Sequence, residues 1–164
     1  MAQGGFRQVP CPYQHSPATL RPALAMATLV GRVVRCNGLP HEHLFGKSDP
    51  YVIVKALDAE GNPAGESRTS HKKGSDCTWD GDEAVFNFAD VNLDGALHVS
   101  VWDKDLGPDD VLGQVVWPIK LVPFEESEIT LSLGLSRKLD HAGKKTPNGT
   151  VTLSMKVDAH HHWL

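Results

Sequence analysis

Period-two alternation, broken by glycine and proline turns, constrains this chain more than any other feature. Leu97, Val99 and Val101 alternate with His98 and Ser100; Ile129, Leu131 and Leu133 with Thr130 and Ser132; Val151, Leu153, Met155 and Val157 with Thr152, Ser154 and Lys156. A side chain every second residue on one face is the pattern of a half-buried strand. Phe86 and Phe88 flank Asn87 in the same way, and Leu29 to Cys36, Tyr51 to Leu57 and Val111 to Ile119 are rich in the β-branched residues that suit a pleated sheet. Glu66 to His71 is polar throughout and suits a sheet edge. This predicts eight short strands between residues 29 and 157. Turn signals separate them at Gly61-Asn62-Pro63, Gly74-Ser75-Asp76, Asn92-Leu93-Asp94-Gly95, Gly107-Pro108 and Pro147-Asn148-Gly149. No helical segment is long enough to cross between parallel strands, so the strands are antiparallel and the fold is all-β, a sandwich or a barrel. The longest irregular stretches, Asn37 to Asp49 and Gly134 to Asn148, are loops of the length that usually carries function.

A chain of 164 residues suits one domain with tails. Its net charge of -4, with no arginine-rich or aromatic-basic stripe, argues against a nucleic-acid partner. Three widely spaced cysteines, Cys11, Cys36 and Cys77, make no disulfide framework and point to a reducing, cytoplasmic compartment. No run reaches the length of a transmembrane segment, so membrane contact is expected to be peripheral. Residues 1–27 carry Arg7 and Arg21, no acid, and four prolines (Pro10, Pro12, Pro17, Pro22), and read as an extended arm. A domain over residues 28–158 and a tail over residues 159–164 complete the expected organisation.

The chemistry is concentrated in the turn Val101-Trp102-Asp103-Lys104-Asp105-Leu106-Gly107-Pro108-Asp109-Asp110-Val111. Four carboxylates fall within eight residues there, between two strands. Like charges so close repel, and a cation among them relieves the repulsion. Hard divalent cations such as Ca²⁺ take several oxygen ligands from flexible loops. A second acidic turn, Gly46-Lys47-Ser48-Asp49-Pro50-Tyr51, precedes another strand, so two loops on one scaffold point to a shared site. By contrast, no nucleophile elbow, phosphate loop or HExxH motif is present, and the expectation is a binding module, not an enzyme. His41-Glu42-His43 has no second ligand pair at zinc spacing, and His160-His161-His162 reads as part of a tail.

Taken in order, these motifs resemble the C2 domain, a calcium- and phospholipid-binding β-sandwich, over about residues 27 to 157. Leu29-Val30-Gly31-Arg32-Val33-Val34-Arg35-Cys36-Asn37-Gly38-Leu39 is similar to the family strand that leads into its first calcium loop. Gly46-Lys47-Ser48-Asp49-Pro50-Tyr51-Val52 matches the most recognisable signature. Thr78-Trp79-Asp80 before Phe86-Asn87-Phe88 resembles the tryptophan-bearing turn, and Val101-Trp102-Asp103-Lys104-Asp105 with Asp110-Val111-Leu112-Gly113 resembles the third calcium loop. The resemblance implies an eight-stranded antiparallel sandwich with the phospholipase-type strand order. It implies a Ca²⁺ site formed by Asp49, Asp103, Asp105 and Asp110, with Asp109 a neighbour able to substitute for Asp110.

The chain departs from the family pattern in two places. The third loop is one residue shorter than is common. Six residues before Asp49, where the family usually has aspartate, stands His43, whose imidazole is a poor ligand for a hard cation. Glu42 beside it is a secondary candidate, and the loss of one bridging carboxylate implies a weak site. Leu44, Phe45 and Leu106 sit on the loop tips, where apolar side chains can enter the interfacial zone of a bilayer. Lys55, Arg68, His71, Lys72 and Lys73 form a modest basic set in the region where the family can hold phosphoinositide head groups, each worth about 1 kcal/mol at an anionic surface; an ordinary solvated sheet face accounts for them as well.

The functional expectation is a module that binds Ca²⁺ and anionic phospholipid membranes as an adaptor or sensor. The rival is a calcium-independent scaffold subunit that contacts protein partners through the sandwich and its tails, where Phe6, Tyr13, Trp163 and Leu164 are suited to docking.

Overall fold

The computed structural model describes residues 26–40, 48–134 and 149–159. Nine strands occur among the described residues: β1 (Met26–Asn37), β2 (Pro50–Leu57), β3 (Pro63–Arg68), β4 (Cys77–Thr78), β5 (Val85–Asn92), β6 (Ala96–Asp103), β7 (Asp110–Pro118), β8 (Ser127–Ser132) and β9 (Thr150–Ala159). They form two antiparallel sheets stacked as a sandwich. One runs β4-β1-β9-β8, with β5 also paired to β1; the other runs β3-β2-β6-β7. Eight of the nine correspond to the segments expected from sequence. The ninth, β4, is a two-residue pairing of Cys77 and Thr78 with Cys36 and Arg35, too short to show any alternation. The polar strand forms as the edge β3, but over Pro63–Arg68 rather than Glu66 to His71. Beyond Arg68 the chain leaves the ladder and follows the start of β2 through Thr69 N–H to Val52 O (3.0 Å), Lys72 N–H to Pro50 O (2.9 Å) and Gly74 N–H to Ser48 O (2.8 Å). No helix among the described residues is long and apolar enough to cross a membrane.

The inner faces supply the core. Leu29, Val33, Phe86, Leu153 and Met155 from one sheet face Val52, Val54, Leu97, Val99 and Val101 from the other, all buried. Each such side chain contributes roughly 1.5–3 kcal/mol of burial free energy. The alternation read from sequence understates burial in β9, where Thr152 is 1% exposed. This strand lies between β1 and β8, so its polar face is covered by neighbouring side chains. Gly31 is required at its place: a Cβ there would stand 2.7 Å from the Met155 Cβ and 2.5 Å from the Phe86 ring. Trp79, 1% exposed, locks the turn before β5 by donating its indole N–H to Ser70 O at 2.8 Å. Cys36 and Cys77 lie opposite each other on β1 and β4 as free, buried thiols. Burial pushes both up, Cys77 to about 11, so both stay protonated and serve as core.

Two pairings position the acidic residues. Pro50 lies opposite Asp103 across β2 and β6. Asp103 lies opposite Asp110 across β6 and β7, with a bulge between Val101 and Trp102 that absorbs Leu112. The result places Asp49, Asp103 and Asp110 at adjoining strand ends, on the same end of the sandwich as Gly38 and Leu39.

Candidate metal centre

The two acidic segments are tied together through their main chains. Asp49 donates its N–H to Asp103 Oδ1 at 2.7 Å, and Lys104 donates its N–H to Asp49 O at 3.1 Å. The Asp103 carboxylate is buried, 1% exposed, and Asp49, Asp105 and Asp110 are half-buried. Ser48, 2% exposed, lies beside Asp49 with its Oγ unpartnered among the described residues. The donor set is carboxylate and hydroxyl oxygen, which suits a hard cation such as Ca²⁺ and does not suit a soft one. Among the described residues, however, no three His, Cys, Asp or Glu side chains converge as a ready-made cage. The strand ends bring the acidic residues into one neighbourhood without closing them into a cage.

Asp109 draws its partners from the third loop, β2 and β3. Its Oδ1 accepts from Lys104 Nζ at 3.0 Å and from Asp105 N–H at 3.2 Å. Its Oδ2 accepts from the Tyr51 hydroxyl at 2.8 Å, with Arg68 Nη2 at 3.9 Å. The Lys104 ammonium, then the Tyr51 hydroxyl, hold this carboxyl down to about 2. Burial, together with donation to Asp109, raises the Tyr51 phenol in turn. Both Asp109 oxygens are thus engaged by the protein itself. Sequence reasoning missed Tyr51 and Lys104: Tyr51 reads as the start of a strand, Lys104 is given no role, and only the folded chain puts them on one carboxylate.

At the tip of the third loop Leu106 is fully exposed, and a Cβ on the neighbouring Gly107 would meet nothing within 4 Å. Glu42, His43, Leu44 and Phe45 lie outside the described residues. The basic set divides. Lys55 and Arg68 stand on adjacent strands of the four-stranded sheet, their side chains on its outer face. Lys55 pairs with Glu66 at 2.9 Å. The Arg68 guanidinium lies 3.8 Å above the centre of the Tyr51 ring. His71, Lys72 and Lys73 lie past the end of β3, not on a strand as expected, because the regular ladder to β2 ends at Arg68. Trp102 shares the outer face, opposite Tyr51, and donates its indole N–H to Ser100 Oγ at 2.9 Å.

Comparison with known proteins places this arrangement. The family model for the C2 domain matches residues 27–133. The chain is 38% identical to FT-interacting protein 4 of Arabidopsis thaliana over 99 residues, 60% of this chain and 12% of that protein. It is 36% identical to the Rho GTPase-activating protein gacEE of Dictyostelium discoideum over 107 residues, 65% of this chain and 17% of that protein. It is 28% identical to an Arabidopsis thaliana calcium-dependent lipid-binding protein over 144 residues, 80% of this chain and 24% of that protein. The chain therefore spans between about an eighth and a quarter of these relatives' lengths. Among solved structures, the C2A domain of plant Extended Synaptotagmin 1 shares the fold with a TM-score of 0.67 at 22% identity, over 84% of this chain and 98% of that one. Human GIVD cytosolic phospholipase A2 shares it with a TM-score of 0.63 at 20% identity, over 84% of this chain and 18% of that one.

Proposed function

The chain belongs to the C2 domain family, and we propose that it binds anionic phospholipid membranes through the end of the sandwich that carries Asp49 and Asp103 to Asp110, in a manner strengthened by Ca²⁺. The observation that carries this reading is strand pairing: Asp103 lies opposite Asp110, and Asp49 is hydrogen-bonded to Asp103. Asp49, Asp103, Asp105 and Asp110 would hold the ion. When bound, Ca²⁺ supplies positive charge and open coordination positions for lipid phosphate. Leu106, exposed beyond those carboxylates, adds a shallow apolar contact, and Leu44 and Phe45, adjacent in the sequence before Asp49, would add to it. Arg68 and Lys55 on the outer sheet face are available to a head group only by exchange, since each already faces a carboxylate. The chain acts as a peripheral adaptor or sensor on the cytoplasmic face of a membrane, without chemistry of its own.

A second reading, a calcium-independent scaffold for protein contacts, has its own support. Lys104 and Arg68 already supply cations to the third loop. At the opposite end of the sandwich Leu121 and Phe124 are 55% and 69% exposed. Co-sedimentation with phosphatidylserine–phosphatidylcholine vesicles, in calcium and in chelator, separates the two. Pelleting only in calcium, reduced by Leu106→Asp, supports the membrane reading. No pelleting in either condition overturns it and leaves the scaffold reading.

A further inference from the structure

We propose that Asp109 is a positioning residue, not a ligand: it fastens the third loop to β2 through the Tyr51 hydroxyl and so holds in place the segment that carries Asp105 and Asp110. The inference rests on the calcium reading above for its consequence, and on the metal-free geometry for its substance.

The geometry is specific. Residues 104 to 109 leave β6 at Asp103 and return to β7 at Asp110. Three hydrogen bonds converge on the carboxylate near the end of that excursion. The one from Asp105 N–H closes the loop on itself, the one from Lys104 Nζ braces its ascending limb, and the one from the Tyr51 hydroxyl ties it to β2. Tyr51 is well placed to hold, because it is 3% exposed and capped by the Arg68 guanidinium. Tyr51 is also two residues after Asp49. The same contact therefore sets the third loop against the acidic segment at Asp49, alongside the main-chain bonds there. An ion that needs carboxylates from both segments must otherwise order the loop itself, at about 1–2 kcal/mol for each residue fixed. A loop already fastened spares that cost, and preorganisation of this kind raises affinity without adding a contact to the ion. A carboxylate with both oxygens taken by the protein's own donors has to give up those bonds before it can ligate.

Tyr51→Phe tests this, because it removes one hydroxyl and changes neither the charge nor any carboxylate. The probes are Ca²⁺ alone, by titration calorimetry on the full chain, and amide exchange at Asp105 in metal-free protein. Tyr51→Phe is expected to weaken Ca²⁺ binding roughly two- to tenfold and to speed exchange at Asp105 by a similar factor, the net worth of one hydrogen bond. Asp109→Asn should do at least as much, and the double variant little more than the worse single one, since both break one tether. A circular-dichroism melt confirms that each variant is folded. Weaker Ca²⁺ binding in Asp109→Asn with none lost in Tyr51→Phe would make Asp109 a ligand and overturn the proposal. Faster exchange with unchanged affinity overturns the positioning role and leaves a structural bond. If the wild-type chain takes up no Ca²⁺, the calcium reading fails on its own; exchange at Asp105 then decides the tether, which unchanged exchange in Tyr51→Phe refutes.

Discussion

Two turns at one end of this sandwich and the acidic segments at the other are tied by different sets of contacts. At the end away from the acidic loops, the turn between β2 and β3 is held by Asp58, whose carboxylate accepts from Glu60 N–H at 3.0 Å, Asn62 N–H at 2.7 Å and Asn62 Nδ2 at 3.1 Å. The turn between β5 and β6 is held by Asn92, which accepts from Asp94 N–H and Gly95 N–H, both at 2.9 Å. Every one of these partners lies within four residues. At the acidic end, Asp49 is bonded to a residue 54 positions away and Tyr51 to one 58 positions away. Asp58 and Asp109 show the contrast in one residue type. Each carboxyl is held below its ordinary range, Asp58 by the backbone of its own turn and Asp109 by Lys104 and a distant tyrosine. A locally closed turn forms wherever its few residues occur, whereas a loop closed at long range is only as ordered as the sheets that bring its partners together.

If that is right, damage to the packing behind the acidic end should be the most costly. Trp79 holds the segment that carries Ser70, and that segment in turn is bonded to Ser48, Pro50 and Val52. Trp79→Ala is expected to cost about 3–5 kcal/mol, lowering the melting temperature by roughly ten degrees and accelerating amide exchange along Ser48 to Val52 before that in the Asp58 turn. Uniform acceleration at both ends would break the comparison. The converse is Gly95→Ala. A Cβ there collides with the carbonyl of Leu57, a backbone atom that cannot swing aside, so the far end must shift at about 1–3 kcal/mol. Calcium binding should be untouched; a parallel loss would show that the ends are mechanically joined.

The same division explains what could be read from sequence. The strands were legible because period two is a local signal, and so were the turns at Gly61-Asn62-Pro63 and Asn92 to Gly95, whose bonds are local. β4 was not, since two residues carry no period and Cys77 pairs with Cys36 only once β1 is in place. The end of β3 was misplaced because polar residues continue past Arg68 while the main-chain bonds to β2 lose their regular ladder spacing. At the candidate site the carboxylates were legible as a cluster. What each one does was not: Asp109 and Asp110 are adjacent and chemically identical, and the bonds on Asp109 come from Lys104, Asp105 and from Tyr51, which the sheet brings up from a distant segment.

The smallest effect gives the finest test. The folded-state carboxyls of Asp58 and Asp109 titrate below the ordinary value of about 3.9, so each contributes stability that is present above that value and is lost as pH falls, for Asp109 through about 2. Carboxyl titration by NMR should place Asp109 near that value in the wild-type chain. Lys104→Met should move it up toward the ordinary range the most, because the ammonium is its main cause, and Tyr51→Phe by less. Neither substitution should move Asp58, whose causes are Asn62, Glu60 and Gly61. If Tyr51→Phe leaves Asp109 where it was, the tyrosine is a bystander and the acidic loop is closed locally after all, like the turns at the other end. If Asp109 moves while Asp58 stays, one end is set by its own few residues and the other by the fold, and the ability to respond to a cation belongs to the second kind of loop, whose order the rest of the molecule maintains.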